Sequence, residues 1–542
     1  MEITILPNNI KCQVAEGTSL LQVLFEAGIH IDGSCAGAGV CGCCKIQVVS
    51  GKTPPADEAE KELIPQEELD QGYRLACRVH VIDNMRILVP KMKNADARKT
   101  KLLYFPDDFV PEKTAEQCYG LAFDIGTTTV VCMLWDMKEA ELIDIAAQTN
   151  PQSVFGADVI TRINYCEEKP GNLQVMHDKI IGCLNELADT LIERHSIQRD
   201  LIRKATVVGN TTMSHLFLGL SPSTLARIPF TPAFTGPKEL KATEIGIRIH
   251  PEGDVYLLPN IAGHVGSDLV AGILTSRLME KSGVHILIDL GTNGEVILQA
   301  DGHTWACSTA AGPAFEGASI HHGMRAAAGA IESVKVIEGK LLVHTVDDAP
   351  ARGICGSGLI DATAALITAG VILPSGKMIS QKAAQQELPP DLAWRLHKTE
   401  DNITEFVLAQ GDDGREIVLN HKDVRQMQLG KGAIYSGILL MLQAAGKTVA
   451  DIDTVLLAGA FGNFINKESA VVLGLLPNIP LDHIIPLGNA AGAGSSIALL
   501  SSKERQYIYN KLAEIEHVEL ADCPNFQEEF IGAMSFPRIK AE

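Results

Sequence analysis

Two short runs at the start of the chain, "EITILP" and "IKCQVA", alternate apolar and polar positions around the turn-formers Pro7-Asn8-Asn9. That pattern predicts a β-hairpin. In "TSLLQVLFEAGI" the period changes: Leu20, Leu21, Leu24 and Phe25 share one helical face, with Ser19 and Gln22 at capping-box spacing. A cysteine- and glycine-rich loop comes next, then the strand run "KIQVVSG". The acidic stretch "ADEAEKELIPQEELDQG" predicts a solvated helix and loop, and "YRLACRVHVIDNMRILVP" carries Cys77 and a closing strand. Residues 1–90 thus read as one compact α+β unit.

Residues 91–117 are charged, contain two prolines and lack periodicity, which predicts a linker, partly ordered by Tyr104, Phe105 and Phe109. From Tyr119 the pattern is α/β, with apolar strand runs, helices and Gly-rich turns in alternation. "YGLAFDIGTTTVVCML" at 119–134 and "HILIDLGTNGEVILQA" at 285–300 share one plan: apolar strand, Asp, Gly-Thr turn, second strand. The repeat predicts a duplicated domain, divided as 118–283 and 284–542 near "EKSG".

Composition narrows the classes. A chain of 542 residues with 46% hydrophobic and 21% charged residues is globular and too long for one core. A net charge of −20 argues against a nucleic-acid partner, since phosphate neutralisation needs clustered Lys and Arg. No apolar run has the length of a membrane span, and the start lacks a signal-peptide pattern, so a cytoplasmic location is expected. Thirteen cysteines, an odd number, then point to metal-bound, redox-active or packed thiols before disulfides.

In "DGSCAGAGVCGCCKIQV", residues 32–48, Cys35-x5-Cys41-x2-Cys44 stands with Cys77 further on. A [2Fe–2S] cluster needs four thiolates, and a glycine-rich loop lets backbone N–H groups approach its sulfides. The three-plus-one spacing resembles plant-type and, in its five-residue gap, adrenodoxin-type ferredoxins, which implies a β-grasp unit. Structural zinc is the alternative, with one Cys-x2-Cys pair and no obvious second. Cys43 is expected to point away as a packed thiol.

"FDIGTTT" and "IDLGTNGE" each place an Asp at a strand end before a turn of Gly and hydroxyl residues. Such a turn offers N–H and O–H donors to phosphate oxygens, and its Asp can hold a Mg²⁺-bound water. The pair is similar to the phosphate hairpins of the actin, hsp70 and sugar-kinase (ASKHA) superfamily. A Gly-rich turn after a strand, "TVLLAGAFGNFINKESA" at 454–470, fits the third element of that fold, beneath an adenosine. Neither a G-x-x-x-x-G-K-[ST] loop nor a strand-linked G-x-G-x-x-G occurs. Ordinary α/β turns in a nucleotide-free domain are the bland alternative.

Taken together, the cysteine loop, "GLAFDIGTTTV", "VVGNTTMSHLFLGL", "LPNIAGHVGSDLVAGIL", "IDLGTNGE", "AAGPAFEGASI", "CGSGLID" and "LAGAFGN" closely resemble the reductive activators of corrinoid-dependent methyltransferases and O-demethylases. The resemblance spans nearly the whole chain. It implies a β-grasp ferredoxin domain, a linker and a duplicated actin-like ATPase unit, with a [2Fe–2S] cluster and ATP with Mg²⁺ as cofactors. It implies reduction of cob(II)amide to cob(I)amide on a partner corrinoid protein, a low-potential electron donor, and a homodimer. Cys35, Cys41, Cys44 and Cys77 would hold the cluster. Asp124, Gly126, Thr127, Thr128 and Thr129 would form the first phosphate turn, and Asp289, Gly291, Thr292, Asn293 and Gly294 the second. Gly459 and Gly462 would face the adenosine, Gly312 joins the nucleotide-binding set, and Asp124 or Asp289 would position Mg²⁺ or water. Some activators carry C-terminal Cys-rich [4Fe–4S] segments; here that end holds only Cys523, which places the chain with the N-terminal [2Fe–2S] branch.

Other candidates carry simpler readings. His321-His322 are expected to serve packing or surface roles; His264 and Asp268, at i and i+4, capping or helix-surface roles ahead of contact with a partner or nucleotide; and Cys307 and Cys355 to be small buried thiols. Two other functional classes stand beside the activator: a ferredoxin-fused small-molecule kinase, and an electron carrier with a non-hydrolysing ATPase-like half.

Overall fold

A computed structural model describes residues 1–6, 10–27, 44–89, 103–291, 293–317, 319–412, 414–462 and 465–538. Cys35, Cys41, Cys43, Thr292 and residues 91–102 of the linker lie outside the described residues.

The first unit is a five-stranded mixed sheet. Its strands are β1 (Glu2–Leu6), β2 (Ile10–Gln13), β3 (Lys45–Ser50), β4 (Tyr73–Leu75) and β5 (Met85–Leu88), in the order β2-β1-β5-β3-β4. The predicted hairpin pairs antiparallel from Glu2↔Gln13 to Ile5↔Ile10, and β5 joins β1 in parallel. The helix Leu20–Glu26 starts where Ser19 Oγ accepts from the Gln22 N–H at 3.2 Å. Its buried Leu20 and Leu24 close a core with Ile3, Ile5, Ile46, Leu75 and Ile87. A helix laid across a mixed sheet in this way is the β-grasp arrangement anticipated from the cysteine spacing.

The acidic stretch corrects an expectation. It forms two short helices, Glu58–Leu63 and Gln66–Asp70, yet it is not solvated throughout. Glu60 is 1% exposed and pairs with Arg74 at 2.5 Å, while the Leu75 N–H donates to the same carboxylate at 2.9 Å. A buried ion pair persists only when its remaining hydrogen-bonding capacity is also met. Arg74 meets it by donating to Thr53 Oγ1 and to the Pro54 carbonyl, both at 2.8 Å.

From Leu103 the linker is clamped to the α/β part of the chain. Leu103 bridges to Gly488, and Phe105 stacks on Phe109 at 5.8 Å and meets Trp135 edge-on at 5.7 Å. Glu112 accepts from Ser502 Oγ at 2.8 Å. Tyr104, expected to help order the segment, is 46% exposed; the two phenylalanines supply the apolar anchor.

The remaining chain is built on two six-stranded sheets. The first uses β6 (Tyr119–Ile125), β7 (Thr129–Asp136), β8 (Glu141–Thr149), β9 (Ile202–Gly209), β10 (Lys238–Lys241) and β11 (Asp254–Leu257), ordered β10-β11-β9-β6-β7-β8. Two small three-stranded sheets stand between the strands of the second large one. These are β15 (Ala330–Ile337), β16 (Lys340–Thr345) and β17 (Gly353–Ile354), then β18 (Leu396–Lys398), β19 (Thr404–Gln410) and β20 (Glu416–Asn420). The second large sheet uses β12 (Val284–Leu290), β13 (Gly294–Ala300), β14 (His303–Thr309), β21 (Thr454–Ala458), β22 (Ile484–Pro486) and β23 (Ile515–His517), ordered β22-β21-β12-β13-β14-β23. Each large sheet contains an antiparallel three-strand meander, β6-β7-β8 or β12-β13-β14. A parallel strand, β9 or β21, lies against the first strand of each meander. The repeat seen in two hairpins thus extends over five strands of each sheet, β11-β9-β6-β7-β8 and β22-β21-β12-β13-β14; the two small sheets are inserted in the second half alone.

Two helices interlock the halves. Ser267–Ser276 packs against Ala490–Leu500, and the second lies along the first sheet. Ser495 Oγ donates to the Phe123 carbonyl at 3.2 Å, and Trp135 Nε1 donates to Ser496 Oγ at 3.1 Å. The composition "AAGAGSSIALL" serves this closeness. A Cβ on Gly494 would stand 2.1 Å from the Ala271 carbonyl oxygen, so only glycine admits the crossing.

His321 and His322 take the packing role expected of them, with ring centroids 4.4 Å apart. His322 Nδ1 accepts from the Val418 N–H at 2.9 Å, and burial, reinforced by His321, lowers its pKa to about 4. The folded value lies below the unfolded value of about 6.5. Stability from this site is therefore intact above pH 6.5 and lost as pH falls from there to 4. His322→Gln, which keeps an acceptor for Val418, is expected to remove on the order of 2 kcal/mol of that acid sensitivity. Melting temperatures of both proteins between pH 4 and 7 check this; identical pH profiles would refute it.

Candidate functional site: a carboxylate-lined cleft and a cysteine pair

β6 and β12 each carry their aspartate one residue before the strand ends, and the strand ends of both sheets open on one cleft. Asp124 and Asp289 are joined there by Asp268, in the first turn of the helix Ser267–Ser276, and by Glu295 of β13. All four sit deep in the protein with part of their surface on the cleft. Burial, followed by the Asp268 charge, raises the Asp124 carboxyl to about 7; a hydrogen bond from Asn489 opposes this. Burial with the charges of Asp268 and Asp124 raises Asp289 to about 7, and burial raises Asp268 to about 6. Glu295 is pushed up by the same burial and by Asp268 and Asp289. Facing carboxylates that mutually disfavour ionisation constitute a site suited to a cation.

Among the described residues no three His, Cys, Asp or Glu side chains stand close enough to hold a metal ion between them. Mg²⁺ fits such a place when phosphate oxygens and water supply most of its octahedron and carboxylates bind through that water.

The predicted phosphate turns line the same cleft. In the first, the Gly126 N–H closes onto the Thr129 carbonyl at 3.0 Å, and Asn150 Nδ2 holds the Gly126 carbonyl at 2.9 Å. Asn210 Nδ2 donates to Thr127 Oγ1 at 2.9 Å, and Arg162 Nη2 to the Thr127 carbonyl at 2.5 Å. Arg162 is fully buried, and that burial lowers its pKa to about 9. Thr128 Oγ1 donates to Glu316 Oε2 at 2.6 Å, from one half of the duplication to the other. In the second turn the Gly291 N–H bonds the Asn293 carbonyl at 3.1 Å, and Thr309 Oγ1 donates to the Gly294 carbonyl at 2.8 Å.

Gly459 follows β21 with φ +85°, and a Cβ there would stand 2.5 Å from Asp289 Oδ1. It therefore abuts the second turn, and the backbone enters a helical turn, Gly459–Gly462, whose Gly462 lies over Leu457. Gly312, at φ +78°, precedes the 3₁₀ turn Pro313–Glu316 that presents Glu316.

Asp268 corrects the helix-surface reading. Its carboxylate is turned into the cleft, while His264 lies in the turn before the helix, beside Phe230 at 5.0 Å between ring centroids. Sequence reasoning also passed over Glu295, Arg162, Asn210, Glu316 and Asn489. "GSD" at a helix start resembles a cap, and Glu295 occupies an ordinary strand position. Nothing local marks a buried arginine.

In the first unit, Cys44 enters β3 and Cys77 follows β4, and their sulfurs lie 3.3 Å apart. None of the described cysteines is in a disulfide. Two thiolates on one tetrahedral metal with ~2.3 Å bonds would stand roughly 3.8 Å apart, so the pair fits a shared iron after a small displacement. Cys307 and Cys355 are buried thiols, as expected. No described helix is long and apolar enough to cross a membrane.

Fold and site define a class: a [2Fe–2S] ferredoxin domain joined to an ASKHA-type, ATP-binding unit. Family models agree along the chain. A 2Fe-2S iron-sulfur cluster binding domain matches residues 3–81, the RACo middle region 119–281, and the C-terminal domain of RACo, the ASKHA domain, 283–542. The corrinoid activation enzyme RamQ of Eubacterium limosum is 37% identical over 427 residues, 78% of this chain and 71% of that one. The [Co(II) methylated amine-specific corrinoid protein] reductase of Methanosarcina barkeri is 23% identical over 77% of each chain. A solved structure, the reductive activator for corrinoid,iron-sulfur protein, aligns with a TM-score of 0.70 at 31% identity, covering 99% of this chain and 98% of that one. The chain belongs to this family, the reductive activators of corrinoid proteins.

Proposed function

We propose that the protein reductively activates a corrinoid protein, passing one electron from a [2Fe–2S] cluster to cob(II)amide, which becomes cob(I)amide, at the expense of ATP. The observation that carries the ATP half is the cleft, in which half-buried carboxylates stand beside the two Gly-Thr turns. Residues 1–90 form the electron-carrying unit, 91–117 the linker, and 118–283 and 284–542 the halves of the ATPase.

Cys35, Cys41, Cys44 and Cys77 hold the cluster, which supplies one-electron chemistry when bound. Thr127, Thr128 and Thr129 present donors to one end of the triphosphate, on a turn that Gly126 closes. Gly291, Thr292, Asn293 and Gly294 do so at the other, with Gly312, Gly459 and Gly462 completing the nucleotide wall. Asp124 and Asp289 orient the water around Mg²⁺, and Asp268, whose charge bears on both, takes the proton of the attacking water. Asn489, by donating to Asp124, keeps that carboxylate oriented as an acceptor.

The need for ATP follows from redox energetics. Plant-type [2Fe–2S] centres lie at about −400 mV, and a cob(II)/cob(I) couple is expected to lie lower. Each ~100 mV uphill costs about 2.3 kcal/mol per electron. Closure of the two halves on nucleotide can supply it by favouring the complex in which transfer proceeds. A low-potential donor re-reduces the cluster, and the working form is a homodimer.

The test mixes the purified protein, MgATP, a low-potential reductant and a cob(II) corrinoid protein, and follows cob(I) absorbance. Cob(I) is expected only with ATP, and ATP turnover is expected to rise when the cob(II) protein is added. Equal cob(I) without ATP would overturn the coupling. Phosphoryl transfer to an added hydroxyl compound would replace it with a kinase.

A further inference from the structure

We infer that Glu316 senses the terminal phosphate of the nucleotide by competing with it for the hydroxyl of Thr128, an inference that rests on the proposed ATP site. Thr128 Oγ1 donates to Glu316 Oε2 at 2.6 Å across the cleft. A threonine hydroxyl has one proton to donate, so it serves the carboxylate or a phosphate oxygen, not both. Two anions at that distance also repel. A terminal phosphate on the first turn therefore expels Glu316, whereas a diphosphate, which lacks that group, leaves the contact in place.

The turn that carries the carboxylate is anchored on both sides. It ends the turn Pro313–Glu316, in which Ala314 and Phe315 are 2% and 1% exposed. Gly317, next in the chain at φ +78°, is packed so tightly that a Cβ would stand 2.2 Å from the Met324 carbonyl oxygen. The neighbouring Arg325 reaches the same edge of the first sheet, donating from Nη1 to Thr149 Oγ1 at 3.2 Å. Thr149 is the register partner of Thr129, the residue after Thr128. Glu316 and Arg325 are thus two attachments of the second half to the same end of the strands β7 and β8 of the first. The phosphate removes the first of them and leaves the second as a pivot.

On the other side, Phe315 abuts the long helix His421–Ala444, where a Cβ on Gly430 would stand 2.8 Å from its ring. A shift of the turn Pro313–Glu316 would thereby reach the body of the second half. The device distinguishes triphosphate from diphosphate, the difference by which hydrolysis has to reset the halves.

The experiment measures MgATP and MgADP dissociation constants by calorimetry on the full-length, cluster-loaded protein and on its Glu316→Ala and Glu316→Gln variants. Removing the competing carboxylate is expected to tighten MgATP by about tenfold and to leave MgADP within about twofold. A double-mutant cycle adds the reading that a purely structural role would not produce: in a Thr128→Val background, Glu316→Ala improves MgATP by clearly less than in the wild type, because only the charge repulsion is left to remove. Equal shifts for both nucleotides, or weaker MgATP, overturn the sensor while the ATP site stands. A wild-type protein that binds neither nucleotide overturns both.

Discussion

Asp289→Asn is expected to lower ATP-driven cob(I) formation by roughly 10²–10³-fold, and Asp124→Asn to act comparably, while both proteins keep their cluster spectrum. The same substitutions have an opposite effect on stability. Burial raises both carboxyls to about 7, so the folded state holds their protons more tightly than the unfolded chain, whose value is 3.8. A raised carboxyl pKa makes stability fall as pH rises from about 4 to 7. The amide carries no charge and escapes that penalty. The nucleotide-free variants should therefore melt several degrees higher than the wild type at pH 7.5, with the gap closing near pH 4. Loss of activity with a gain in melting temperature identifies charges held against stability for catalysis. Loss of activity with loss of stability would mean that the aspartates serve the fold, and would sink the assignment.

The second large effect belongs to the cysteines. Cys77→Ser is expected to lose or alter the visible absorption of the cluster and to abolish electron transfer, with MgATP affinity changed by less than about twofold because separated sites behave independently. Cys44→Ser should match it, since the two sulfurs lie 3.3 Å apart. Cys35 and Cys41 are expected to behave likewise by spacing, and Cys43→Ser to keep the chromophore. A colourless Cys43→Ser protein with a coloured Cys41→Ser protein would reassign the ligands.

The domain order was legible from period alone. Alternation in "EITILP" and "IKCQVA", the helical face of "TSLLQVLFEAGI" and the repeated strand–Asp–Gly-Thr plan are all local, and local patterns survive into the fold because each is met within one element. The meeting of Cys44 and Cys77, 33 positions apart, was also legible, because the three-plus-one spacing expects those two sulfurs in one place.

The acidic stretch was misread for the converse reason. A run of glutamates signals solvent, and only the arrival of Arg74 from a neighbouring strand makes the interior tolerable for Glu60. Asp268 was misread in the same way: a polar residue at a helix start looks like a cap until strands from both halves bring Asp124 and Asp289 beside it.

By itself, then, the sequence determined the modules, their order, the cysteine spacing and the two Gly-Thr turns, for these are written in residues that are neighbours or occur at fixed spacing. Tertiary structure alone decided which charges meet. Asp268 in the cleft, the amide of Asn489 on Asp124, and Glu316 on Thr128 from 188 positions away arise from the packing of sheets and crossing helices, and no local period records that packing.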